Sequence, residues 1–155
     1  MRQIYKIGGS VLGLIILGAG IFSGIEYYQY RKSPEYQAMK YLKDLEAQYK
    51  NDPYGGNTPE ETLQLFIDAL KNGDTDLATK YIVMEKQERY LTDLRIIKDN
   101  QNLPAYIKLI SQARLGKEIY KNHYLMTVTN DNNEEIKSLN FVKNEQAHKW
   151  KIEDI

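Results

Sequence analysis

The chain has 155 residues, enough for one compact domain beside a short N-terminal segment. Its 21 Lys and Arg balance 21 Asp and Glu, and from Ser33 onward 17 basic residues face 20 acidic ones, a mildly acidic balance that argues against nucleic acid as a partner. Cysteine is absent, which excludes disulfides, thiolate nucleophiles, zinc–cysteine sites and a lipidated cysteine anchor.

Residues 7–25 read IGGSVLGLIILGAGIFSGI, 19 residues without a charge. As a helix this run spans about 28 Å, close to the roughly 30 Å hydrocarbon thickness of a bilayer. A single transmembrane helix with the lipid bilayer as partner is the expectation, since soluble helices of this length carry a polar face. Tyr27, Tyr28 and Tyr30, followed by Arg31 and Lys32, have the composition of an interfacial belt. The order of regions also suits a secretory signal peptide, but the apolar run is longer than such peptides use, and the small residues Gly18-Ala19-Gly20 lie inside it. An uncleaved signal anchor in the cell membrane is expected, with a cytoplasmic N-terminus and an exported C-terminal domain. Gly9, Gly13, Gly20 and Gly24 form two pairs at a spacing of four, where a second helix can approach, so a homodimer is one candidate assembly.

After Pro34, the residues Ala38, Leu42, Leu45 and Tyr49 form a narrow helical stripe over 35–50, suited to a coiled-coil spacer or to packing on a domain. Residues 51–57, Asn-Asp-Pro-Tyr-Gly-Gly-Asn, are turn formers and read as a linker. The expected organisation is a tail, anchor and belt over 1–32, a juxtamembrane helix and linker over 33–56, and a folded domain over 57–155.

In that domain Thr58 suits an N-cap, Pro59 the first helical position and Glu61 a capping box. Leu63, Phe66, Ile67 and Leu70 mark one helix face, Asn72-Gly73 a left-handed stop, and Asp74 the cap of a short second helix carrying Leu77, Ala78, Tyr81 and Ile82. The helical pattern continues over 85–100 with Tyr90, Leu91, Leu94 and Ile97, and again over 104–115 with Ile107, Ile110 and Leu115 inward. The period then changes to two. Three strands are predicted: 120–129 with Tyr124, Met126 and Val128; 135–143 with Leu139 and Phe141; and 148–155, where Trp150 and Ile152 alternate with Lys149, Lys151 and Glu153. The fold class is α+β, helices packed on a curved antiparallel sheet.

Thr58-Pro59-Glu60-Glu61, the Asn72-Gly73-Asp74 turn and the closing Trp150-Lys151-Ile152, set in helices followed by strands, resemble the nuclear-transport-factor-two-like superfamily over about residues 57–155, and more narrowly its small envelope-anchored bacterial members. The resemblance implies a cone: a curved sheet wrapped round a long first helix, with a cavity at the wide end. Enzymatic relatives place an acid or base there, but no such residue maps onto this sequence.

Catalytic motifs are missing. His123 and His148 lie on different predicted strands without a carboxylate at ligand spacing, and His123 is expected to face away from Tyr124. No nucleophile elbow, phosphate-cradling glycine loop or zinc-protease motif occurs, so no catalytic, cofactor or metal residue is assigned. Of the 13 tyrosines, Tyr81, Tyr90, Tyr106 and Tyr124, together with Trp150, are the candidate cavity-lining residues, with the rim of an ordinary core as the alternative. Two functions stay open: a noncatalytic anchored domain binding a protein or small apolar ligand in the envelope, and a cone-fold enzyme acting on an apolar small molecule.

Overall fold

A computed structural model describes residues 26–155. The apolar run 7–25, with Gly9, Gly13, Gly20 and Gly24, lies outside the described residues, and no helix among the described residues is long and apolar enough to cross a membrane. The chain divides into two compact units, one ending at Gln48 and one beginning at Tyr49.

In the first unit, residues 26–32 are helical and the chain bends at Ser33. Pro34 cannot donate to a preceding turn, so a new helix starts there, α1 (Pro34–Lys50). Ser33 caps it, its Oγ accepting from the Tyr36 amide at 3.2 Å. The Arg31 guanidinium lies 5.8 Å from the rings of both Tyr27 and Tyr36, and the Lys32 ammonium 4.5 Å from that of Tyr28. No residue of α1 is buried.

The second unit carries α2 (Pro59–Lys71), α3 (Thr75–Lys80), a 3-10 turn at Met84–Lys86, α4 (Gln87–Asp99) and α5 (Leu103–Ile110). Four strands follow: β1 (Arg114–Tyr120), β2 (His123–Thr129), β3 (Glu135–Asn144) and β4 (Lys149–Asp154). They form one antiparallel sheet in chain order, and the domain is α+β. The α2 start is built as expected, with the Thr58 hydroxyl accepting from the Glu61 amide at 3.1 Å. Glu61 reaches one residue further back than a capping box requires, accepting from the Asn57 amide at 2.6 Å. Gly73 ends the turn after α2 with φ at +70°, and Asp74 accepts from the Leu77 amide at 2.8 Å to start α3.

Two expectations are corrected here. The segment 104–115 is not helical throughout: α5 ends at Ile110, and Leu115 falls in a fourth strand, β1, that the two-residue period did not reveal. The hairpin between β1 and β2 needs only Lys121-Asn122, with Asn122 at φ +65°, a conformation asparagine tolerates. Gly116 permits close pairing there, since a Cβ on it would stand 1.8 Å from the Leu125 carbonyl oxygen. The second correction concerns residues 51–57, which are not a linker outside the fold. Trp150 donates its amide to the Gly56 carbonyl at 2.9 Å, and Asp52 is buried against β4. Turn-forming residues signal chain reversal; they do not report whether the reversed segment is then packed.

The sheet's inner face contributes Met126, Val128, Leu139, Phe141 and Ile152 to the core, opposite Phe66 and Leu70 of α2, Leu94 of α4 and Ile110 of α5. Each such side chain contributes about 1.5–3 kcal/mol on removal from water. The free side of β4 is covered twice: by Gly56 at Trp150, and by a short parallel pairing in which Val83 donates to Ile152 and Ile152 to Tyr81, both at 2.9 Å.

Candidate functional site

The five aromatic residues named from the sequence are all built into or against the core. Tyr81 meets Tyr54 edge to face at 6.2 Å. Tyr90 donates its hydroxyl to Asp154 Oδ1 at 2.5 Å and accepts the Ile155 amide at 2.9 Å. Burial, reinforced by this bond to Asp154, pushes the Tyr90 hydroxyl up to about 12, and the bond from Tyr90 holds the Asp154 carboxyl below its ordinary range. Tyr106 is half-buried, and its hydroxyl is pushed up by desolvation. Tyr124 donates to the Gly116 carbonyl at 3.0 Å, and its ring meets Trp150 edge to face at 6.2 Å. These rings serve packing and backbone satisfaction.

The sheet's outer face carries the polar chemistry. Strand pairing sets His123, Val142 and Lys151 side by side across β2, β3 and β4, while the neighbouring row of Tyr124, Phe141 and Ile152 points into the core. His123 faces away from Tyr124 as expected, but it is not simply a solvated side chain. It stacks on Tyr120 at 4.1 Å between centroids, and its Nδ1 lies 3.6 Å from Glu153 Oε2. Among the described residues no group of three or more acids and histidines could hold a metal ion.

Lys151, expected on the solvated side of β4, is only 2 % exposed. Its Nζ stands 2.6 Å from Asp52 Oδ2 and donates to the Lys80 carbonyl at 2.5 Å, where α3 ends. Asp52, 8 % exposed, turns its other oxygen to the Tyr54 amide at 3.0 Å. Burial pulls the Lys151 ammonium below its usual range, an effect that Asp52 partly offsets. The residues from Tyr49 to Tyr54 are thereby strapped over the outer face. Asn144 adds a bond to the Tyr49 carbonyl at 2.8 Å, and the Tyr49 hydroxyl donates to Glu85.

Beside this strap a cavity of about 300 Å³ opens over Val83 and Val142, with Tyr49 on one side and Glu85, Lys86, Lys143 and Glu153 at its rim. It shares Tyr49, Val142, Lys143 and Asn144 with an adjoining depression of about 440 Å³ that reaches His123. None of these lining residues is among the candidate cavity residues read from the sequence. The alternation in β4 marks Lys151 as outward, and that is its direction; what covers it comes from a segment 99 residues earlier in the chain. A third cavity, about 320 Å³, opens between α2 and the start of the sheet over Leu63, Ile67 and Met126.

No family model matches the chain, and no curated protein or solved structure matches it significantly.

Proposed function

We propose that residues 49–155 are a noncatalytic extracytoplasmic binding domain of the nuclear-transport-factor-two-like, cone-shaped type. In this reading the apolar run 7–25 holds it in the cell membrane as a single-pass anchor, and it takes a small apolar ligand or a protein partner in the envelope. The observation that carries the binding reading is the cavity over Val83 and Val142, whose apolar floor and polar rim have the make-up of a small ligand site. The helices-then-meander order of α2 to β4 supports the superfamily reading. The length and uncharged character of 7–25 support the anchor. The enzymatic alternative has less behind it, because the rings that would line an interior cavity are spent on the core.

Val142→Trp tests the binding reading by filling the groove from its floor. The full chain, extracted in mild detergent, is analysed by native mass spectrometry after crosslinking. Wild type should retain an added mass, ligand or partner, that the variant loses at unchanged melting temperature. A wild type that carries nothing, or a variant that keeps what wild type carries, would overturn the reading.

A further inference from the structure

The rim of the outer-face cavity has an asymmetry that narrows the ligand. Its two acids keep their charge but lie toward other groups: Glu85 accepts the Tyr49 hydroxyl, and Glu153 faces His123 Nδ1 at 3.6 Å. The Lys151 ammonium is turned away, to Asp52 and the Lys80 carbonyl. Lys86 and Lys143, both half-buried at the rim, feel the carboxylates of Asp154 and Glu145 respectively, but neither stands within 4.0 Å of an acid among the described residues. A half-buried ammonium beside an apolar floor gains from an anion more than an exposed one does, because little water competes for it.

We propose that this cavity binds a small amphipathic anion, with its hydrocarbon body on Val83, Val142 and the Tyr49 ring and its acidic group between Lys86 and Lys143. The inference rests on the reading of the groove as a ligand site and adds the chemical class. A carboxylate on a short acyl chain and a phosphate or sulfonate on one present the same recognition chemistry. Each combines an apolar tail that suits a pocket of about 300 Å³ with a head that accepts two charge-assisted hydrogen bonds. The strap closes one side of the site, so the tail lies along the outer face of the sheet rather than in the core.

The test is a titration of the full chain with octanoate, octane sulfonate and octanol, read by backbone amide shifts in detergent. Micelle partitioning is common to wild type and variant and cancels in their comparison. Octanoate and the sulfonate should shift the amides of Tyr49, Val83, Val142 and Lys143 with at least tenfold tighter binding than octanol. Lys86→Gln with Lys143→Gln should bring the anions down to the level of octanol while leaving octanol unchanged. If octanol binds these amides as tightly as the anions, or if the glutamine variant keeps the anion preference, the anion class is refuted and the groove stands as an apolar site. If no compound shifts these amides, both the anion class and the small-ligand reading fail together. If shifts map to the α2 cavity over Leu63 and Met126, the site is misassigned.

Discussion

Replacing Lys151 by Met keeps the length and shape of the side chain while deleting its charge. Asp52 then loses the ammonium at 2.6 Å and the Lys80 carbonyl loses its donor at 2.5 Å. Removing one member of a buried ion pair costs about 3–5 kcal/mol when the other charge must stay buried. Here the stranded carboxylate has an exit, because Asp52 lies in the strap, and releasing residues 51–54 to water restores its hydration. The penalty is therefore capped by what the strap gains elsewhere, chiefly the Tyr54 ring on Tyr81 and the bond at 3.0 Å that Asp52 takes from Tyr54. A loss of about 2–4 kcal/mol is expected, below the full penalty for a rigidly held pair. Urea unfolding of the full chain measures the loss, and amide exchange at Tyr54 and Gly56 reports whether the strap lifts. Pairing Lys151→Met with Asp52→Leu should cost less than either change alone, since no charge is then buried. A Lys151→Met protein within 1 kcal/mol of wild type, with strap amides still protected, would refute the reasoning.

Tyr90→Phe removes both bonds of that hydroxyl and should cost about 1.5–3 kcal/mol near neutral pH, within the range for a bond to a charged acceptor. The signs follow from the two shifts. Folded Tyr90 keeps its proton to about 12 against an ordinary 10.0, so its contribution is complete below pH 10 and lost as pH rises through about 12. Asp154 is lowered from 3.8, so its contribution is complete above that value and lost as pH falls through the folded one. The wild-type advantage in denaturant midpoint should therefore be a plateau that falls away at both ends, and an advantage independent of pH would disprove the pairing. Gly116→Ala and Gly73→Ala separate two kinds of glycine. The first drives a Cβ into the Leu125 carbonyl at 1.8 Å and should unzip β1, for about 3 kcal/mol or more; the second meets only the Lys98 side chain, in ordinary contact at 3.6 Å, and is strained by its φ of +70°, about 1 kcal/mol. Equal melting shifts would contradict this. Thr58→Ala should lower stability by about 1 kcal/mol through the lost cap, with Thr58→Ser retaining most of it by calorimetry.

What the sequence revealed was whatever depends on neighbours within a few positions. The Thr58 cap, the Gly73 stop, the Asp74 restart and the buried faces of α2 and α4 are local, and the structure has them. So is the alternation of Met126 with Val128, of Leu139 with Phe141, and the inward Ile152. The strand β1 escaped because Arg-Leu-Gly-Lys-Glu-Ile-Tyr follows neither period cleanly, and its pairing with β2 is broken by irregularities on both sides of Lys117-Glu118. The outer-face groove escaped for a different reason. It is assembled from the strap, the 3-10 turn and two strands, and only the paired register of β3 with β4 brings Val142 beside Lys151. Of the tyrosines, Tyr81, Tyr90, Tyr106 and Tyr124 complete the core, while Tyr41 and Tyr120 are exposed.

The double cover on β4 has a consequence for self-association. Backbone groups along that side are taken up at Trp150 and Ile152, which leaves β1 as the margin of the sheet without such cover among the described residues. Two copies joined margin to margin would each present a sealed β4 outward, so growth by strand addition stops at a pair. A fibril built by extending this sheet has no second surface on which to continue.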